Sequence, residues 1–237
     1  MGLQLVSFKE LSDDLSYLVG LSSPPIAVSF AETCPKGAVR PEKPIEACAL
    51  WGKARDHIVC ATPSDHSLCW LGIYAMGCEL SPELRVQKER EITGFAKFRI
   101  MSRTAFASFL SRVPVLEGKK WKFVIYQSLE SVKKLPDLVL LSCKPEQALT
   151  LTESMAYENG EASPVQTNLP GCAIIPAVAN QEKIILSLGC GGSRKLFPIR
   201  PDEILVGVPG KMLTAAIKNM RANIDGNKKL IKYMGWK

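Results

Sequence analysis

The chain has 237 residues, 46% of them hydrophobic, and a formal net charge of +7. This length and apolar content suffice for a sizeable buried core and exclude a disordered chain. The longest apolar runs fall far short of the roughly 18 residues that a membrane span needs. Because the N-terminus also lacks the pattern of a secretory signal, we expect a cytoplasmic protein with no membrane segment.

Predicted helices and strands alternate along the chain. Residues 8–19 have apolar side chains at helical spacing, and Pro44 and Pro145 suit the first turn of further helices. The predicted helices cover 8–19, 44–55, 69–76, 80–110, 145–157 and 211–220, with a short one after Cys190. A further segment, 172–179, is left without an assigned type. The predicted strands cover 26–30, 58–61, 122–126, 138–141, 184–188 and 204–208. This alternation favours an α/β or α+β fold, a layered mixed sheet with helices, in one compact domain over residues 1–237.

The order of these parts suggests an internal repeat of two halves, about 20–110 and 120–220. In the first half a proline precedes Cys48, a strand follows, and Cys69 opens the next helix. In the second half Pro170 precedes Cys172, a strand follows, and Cys190 opens a short helix. Halves related by a pseudo-twofold axis would bring the two cysteine pairs to one point.

The eight cysteines are expected to be reduced thiols, because disulfides are rare in cytoplasmic proteins. Four thiolates at one point are the ligands that soft metals prefer, either a tetrahedral zinc ion or an iron–sulfur cluster. The chain has no Cys-x-x-Cys pair, so Cys48, Cys69, Cys172 and Cys190 would have to come from distant elements. Cys60 and His66 form a tighter local group with Cys69 and are an alternative zinc site. The purely structural alternative for each cysteine is that it packs in the apolar core.

The stretch Ser187–Lys195 reads SLGCGGSRK and places Cys190 between glycines. Such a turn directs backbone N–H groups into a concavity that favours negative charge, and nearby basic residues favour a thiolate. We therefore expect Gly191, Gly192, Ser193 and Arg194 to contact a cofactor or an anion beside Cys190. The Walker and dinucleotide phosphate-binding patterns are absent from the sequence.

Several segments are similar to a known family. They are Arg40–Pro44 leading to Cys48, Cys69, Pro136–Leu141, Pro145–Ala148, Cys172, Ser187–Arg194, Asp202-Glu203 and Gly207–Pro209. Together they resemble domain-of-unknown-function family 169 over roughly residues 20 to 220. The resemblance implies an occurrence in archaea and anaerobic bacteria and supports the cysteine positions. One departure is Trp70-Leu71-Gly72 after Cys69, where the resemblance leads us to expect a Pro-Gly-Gly run.

These observations favour a metal-binding protein in which Cys48, Cys69, Cys172 and Cys190 hold an iron–sulfur cluster for redox or electron transfer. The alternatives are a metal-free module that binds an anion or small molecule and a structural zinc protein. A thiol enzyme would need His57 or His66 as the base for Cys190. The basic C-terminal helix and tail, residues 211–237, suggest an acidic redox partner or an anionic ligand. Nucleic acid is an unfavoured partner, because the basic stretches contain no reader motif.

Overall fold

The computed structural model describes residues 7–78, 82, 83, 86, 102–117, 121–160, 162–166, 169–197 and 199–235. The helices are α1 (Phe8–Val19), α2 (Ala47–Lys53), α3 (Trp70–Ala75), α4 (Arg103–Leu110), α5 (Pro145–Asn159), α6 (Ile174–Gln181), α7 (Gly191–Leu196) and α8 (Leu213–Met234). The strands are β1 (Ile26–Ala31), β2 (Val59–Ala61), β3 (Phe123–Ser128), β4 (Leu138–Cys143), β5 (Val165–Gln166), β6 (Ile185–Ser187) and β7 (Ile204–Pro209). Single 3₁₀ turns occur at Pro63–His66, Leu129–Ser131, Gly171–Ala173 and Gly210–Met212.

The seven strands form one mixed sheet in the order β2-β3-β1-β4-β7-β6-β5. Neighbouring strands are antiparallel except β5 and β6, which are parallel. The predicted layered mixed sheet with helices is thus confirmed.

The two halves of the sheet meet at the antiparallel pair β1–β4, and their strand pairing is the same. Counted outward from this pair, one half has the order β1, β3, β2 and the other half has the order β4, β7, β6. Matching rungs run Val28–Tyr126–Val59 and Leu140–Gly207–Ile185. The pairing is what a pseudo-twofold axis between β1 and β4 requires. The repeat in the chain as a whole stays a prediction.

Alternate residues of the strands face two apolar cores, as the two-residue period of a strand requires. One core contains Ile26 and Leu140 and packs against α2 and α6. The other contains Ala27 and Leu141 and packs against α1, α5 and α8. The sheet is therefore the middle of three layers. All four cysteines predicted as ligands lie in segments on the α2 and α6 side.

One predicted helix lies mostly outside the described residues, and the last one is longer than predicted. Most of the predicted helix at 80–110 lies outside the described residues, including Phe95 and Phe98, while its end is confirmed as α4. The last helix was expected to end near residue 220 but continues to Met234, because only Gly226 interrupts a run of residues that tolerate a helix. Across the described residues, no helix is long and apolar enough to cross a lipid bilayer.

Candidate metal centre

Each of the four predicted ligands lies at the start of a helical segment. Cys48 is the second residue of α2, and Cys69 is the N-cap of α3. Cys172 lies in the 3₁₀ turn that leads into α6, and Cys190 is the N-cap of α7. The segments that carry them pack together: α2 contacts α7 and the Gly171–Ala173 turn, and α3 and α7 also contact that turn. The fold therefore gathers four N-terminal segments from both halves of the chain.

The four thiols are near enough to influence one another's ionisation. Burial, together with negative charge on Cys190 and Cys69, raises the pKa of Cys48 to about 12. Burial also raises the pKa of Cys172 well above its usual value, with further contributions from Cys69, Cys190 and Cys48. Burial and the charge of Cys190 raise the pKa of Cys69, although hydrogen bonds from the backbone of Gly72 and Leu71 lower it in part. Four thiolates without a cation would repel one another here.

Cys190 differs from the other three in the direction of its pKa shift. Burial raises the pKa of this thiol, but hydrogen bonds to the sulfur, among them those from the backbone of Gly171, Ser193 and Gly192, outweigh burial and lower it. The Ser193 N–H lies 3.4 Å from Cys190 Sγ. These donors stabilise the thiolate over the thiol. The donors of the glycine turn are thus directed at the Cys190 sulfur atom.

Ser193 holds this turn in shape and is fully buried. Its hydroxyl accepts a hydrogen bond from the Cys190 N–H at 2.8 Å and donates one to the Cys190 carbonyl at 3.0 Å. Two glycines make room for it. A Cβ on Gly171 would lie 2.5 Å from Ser193 Oγ, and one on Gly189, whose φ is +72°, would lie 2.8 Å from the same atom. Ser193 occupies the N3 position of α7, from which a polar side chain can reach back to the N-cap N–H, whereas the role of Gly171 had no sequence signal.

Arg194 braces the loop that follows the turn. Its guanidinium donates hydrogen bonds to the carbonyl oxygens of Leu188, Arg200 and Glu203, at 3.0, 3.0 and 3.1 Å. Gly191 faces open space, and a Cβ on Gly192 would lie 3.8 Å from Cys190 Sγ. Contact between residues 191–194 and a cofactor or anion stays a prediction.

A buried carboxylate supports the same loop and was not identified from the sequence. Glu203 is 3% exposed and accepts hydrogen bonds from the hydroxyls of Ser22 and Ser142, each at 2.7 Å. The Arg200 N–H donates to it at 3.1 Å. Burial raises the pKa of Glu203, but these donors and the Arg200 charge outweigh burial and lower it. Glu203 is therefore an ionised anchor that ties Arg200 to Ser22 and Ser142.

The alternative zinc group of Cys60, His66 and Cys69 is not available in this fold. Cys60 forms a disulfide with Cys34, so the expectation that all eight cysteines are reduced is wrong for this pair. The fold brings the two residues together across 26 positions of sequence. His66 Nδ1 lies 2.8 Å from the Thr62 carbonyl and must carry the proton, so Nε2 accepts from the Tyr126 hydroxyl at 2.8 Å. Both ring nitrogens are occupied, and burial lowers the pKa of His66.

The described residues contain no group of three or more Cys, His, Asp or Glu side chains already placed to hold a metal ion. A tetrahedral zinc ion with bonds of about 2.3 Å would require sulfur atoms about 3.8 Å apart. The sulfur atoms of residues 48, 69, 172 and 190 would thus have to move closer together to bind a single zinc ion. A cluster of four irons is larger and holds its thiolates further apart.

Comparison with known proteins identifies one family and one relative. Residues 14–219 match domain-of-unknown-function family 169, which is described as "Uncharacterised ArCR". An uncharacterised protein of Methanocaldococcus jannaschii is 26% identical over 214 residues, which cover 86% of this chain and 90% of that relative. No solved structure matches the chain.

Proposed function

The chain belongs to domain-of-unknown-function family 169, and we propose that it is a cytoplasmic metal-binding protein whose four thiols hold an iron–sulfur cluster. The proposed ligands are Cys48, Cys69, Cys172 and Cys190. The observation that carries the proposal is that the segments bearing these thiols, from two distant parts of the chain, pack against one another on one side of the sheet. Charge on Cys190 accordingly raises the pKa values of the other three thiols. The role that suits such a centre is redox chemistry or electron transfer.

Helix N-termini supply part of the electrostatic stabilisation that four thiolates need. The unpaired N–H groups there favour negative charge. The Cys190 sulfur already receives such donors, and Cys69 receives them from Leu71 and Gly72. The remaining repulsion and the burial of Cys48 and Cys172 keep protons on the sulfur atoms. A cation that displaces these protons would relieve both effects, so affinity for metal should rise with pH.

The metal-free anion-binding module is less well supported than the cluster. The N–H groups of the glycine turn that would receive an anion are directed at the Cys190 sulfur instead. An external anion would compete with the thiolate for them. A thiol enzyme that uses His66 as its base is also disfavoured, because His66 Nε2 is bonded to Tyr126. A zinc ion on the same four cysteines remains the second candidate, because thiolates suit both metals.

Anaerobic reconstitution with iron and sulfide tests the proposal. We expect a brown protein with about four iron and four sulfide per chain. Serine variants at positions 48, 69, 172 and 190 should each lose most of the bound iron. Cys78→Ser and Cys143→Ser are matched controls and should bind iron as the parent does, because burial is the largest cause of the raised pKa of each thiol and no ligand thiol contributes. Circular dichroism should confirm that every variant is folded.

Two results would overturn the iron–sulfur assignment. One zinc ion per chain, lost in the same four variants but not in the controls, would move the site to structural zinc. A folded protein that takes up neither metal under reducing, oxygen-free conditions would remove the proposed centre altogether.

A further inference from the structure

The Cys34–Cys60 disulfide joins two segments that lead to the first pair of candidate ligands. Cys34 follows β1, and Cys60 is the middle residue of β2. Residues 34–46, here called the entry loop, lead from Cys34 to α2, which carries Cys48. Strand β2 leads through a 3₁₀ turn to Cys69. The disulfide therefore fastens the start of the entry loop to the strand that precedes Cys69.

Hydrogen bonds hold the rest of the entry loop to the same strand and turn. The Val39 N–H donates to the Ile58 carbonyl at 2.7 Å, and the Val39 carbonyl accepts from the Cys60 N–H at 3.0 Å. Nearer to α2, the Ile45 N–H donates to the Asp65 carbonyl at 2.9 Å. Val39 is 49% exposed, and hydrogen bonds at an exposed edge open by local fluctuation. The covalent bond opens only by a redox reaction, so its state limits how far such an opening can spread.

The two sulfur atoms differ in how a reductant can reach them. Cys60 is fully buried, whereas Cys34 is partly exposed. A thiolate therefore attacks the Cys34 sulfur, the S–S bond breaks, and Cys60 leaves with the electron pair and takes up the proton that the reductant lost. A second thiol attacks the mixed disulfide and releases Cys34 as a thiol. Two electrons thus pass to the protein from two thiols, which become a disulfide.

The other cysteines favour a disulfide that can open. The remaining six are free thiols, as expected in the reducing compartment that the proposed cytoplasmic location supplies. Disulfides in cytoplasmic proteins are usually transient and are catalytic or redox-sensing. A catalytic pair exchanges with a substrate through an accessible thiolate, and the burial of Cys60 disfavours this role. A redox-sensing role requires only that the bond form and break.

We propose that Cys34 and Cys60 form a reversible redox switch, which fastens the entry loop when it is oxidised and frees the loop when it is reduced. The entry loop ends at the helix that carries Cys48, so the oxidised form holds this thiol in place. The consequence for metal rests on the proposed function. Metal should leave the centre slowly when the pair is a disulfide and faster when it is a dithiol.

The redox state of the pair is measured on the folded, metal-free protein. Samples are equilibrated without oxygen in glutathione buffers with increasing fractions of the oxidised form, then quenched in acid, denatured and alkylated with N-ethylmaleimide before mass spectrometry. We expect the alkylated Cys34 and Cys60 peptides of the reduced buffers to give way to one disulfide-linked pair in the oxidised buffers, and the change to reverse. A pair that stays joined even in dithiothreitol, or that never joins, would overturn the proposal.

Hydrogen exchange shows whether the entry loop is freed. In the reduced protein the N–H groups of Val39 and Ile45 should exchange at least about tenfold faster than in the oxidised protein. The amides that pair β4 with β7 should exchange at unchanged rates. Cys34→Ser with Cys60→Ser should show the faster rates in both buffers, and the matched control Cys78→Ser should respond as the parent does. Equal exchange rates in the two redox states would refute the switch.

Iron release separates the switch from the proposed function. Protein reconstituted with iron and sulfide should lose iron to the chelator ferrozine severalfold more slowly with the pair oxidised than in the double serine variant. Equal rates, with the exchange difference intact, would remove the effect on metal. A protein that takes up no metal in either form would contradict the proposed function, and the measurements on metal-free protein would still decide the switch.

Discussion

Replacing Ser193 by alanine probes how the turn around Cys190 is held. The Ser193 hydroxyl is buried and bonds both the N–H and the carbonyl of Cys190. Alanine removes both hydrogen bonds and leaves the Cys190 N–H without its partner. An unsatisfied buried donor costs about 1–3 kcal/mol. We expect a loss of this size in the free energy of unfolding, with unchanged secondary structure.

The same change should also raise the pKa of the Cys190 thiol, because the Ser193 hydroxyl holds the turn whose backbone donors face the sulfur and lower this pKa. Two measurements on the metal-free protein check these effects. Urea unfolding gives the stability change, and iodoacetamide alkylation at a series of pH values, followed by mass spectrometry of the Cys190 peptide, gives the thiol pKa. The control is Ser111→Ala, whose exposed hydroxyl donates to the Ser108 carbonyl at 3.0 Å. Its effect should stay within about 0.5 kcal/mol. Equal stability losses in the two variants, or an unmoved alkylation midpoint in Ser193→Ala, would refute this account of the turn.

Glu203→Gln should destabilise the protein at pH 7 by about 1–3 kcal/mol. Since the folded pKa of Glu203 is lowered, its stabilisation is present above the unfolded value of about 4.3 and is lost as pH falls through the folded pKa. In urea unfolding from pH 7 to pH 3, the free energies of unfolding of the parent and the variant should therefore converge. A constant difference between them would contradict the ionised anchor. Tyr126→Phe should cost about 1–3 kcal/mol by leaving His66 Nε2 unpaired. A loss below 0.5 kcal/mol by thermal unfolding, within the range of ordinary surface changes, would contradict a buried hydrogen bond between His66 and Tyr126. Gly226→Ala should stabilise α8 by about 0.5–1 kcal/mol, because a Cβ there meets nothing within 4 Å. Gly210→Ala should fail to fold stably, because its Cβ would overlap a backbone carbonyl. Similar unfolding midpoints for the two variants would contradict the close packing at Gly210.

Elements with strong local signals could be predicted from the sequence. The bounds of α1 were predicted as 8–19 because its apolar spacing is regular, and a capping box of Ser7 with Glu10 and the left-handed Gly20 fix its two ends. The order of strands and helices followed from alternation in the same way. Local chemistry decides these features.

Features that depend on distant contacts could not be predicted in this way. Helix α2 begins at Ala47, not at Pro44, and the Ile45 N–H just before it donates to the Asp65 carbonyl, twenty residues away. The Cys34–Cys60 disulfide likewise depends on the fold bringing two segments together. At the candidate centre, the sequence indicated the four cysteines and the glycine turn. The packing of Gly171 against Ser193 has no local pattern and required the fold.

The division of the candidate ligands between the two ends of the chain affects how the centre is made. Cys48 and Cys69 leave the ribosome more than a hundred residues before Cys172 and Cys190. At about 5–20 residues per second, the first two thiols would wait on the order of ten seconds for the others. During translation the early pair is therefore open to oxidation or to capture by the wrong metal, and a completed centre would report that synthesis has passed residue 190.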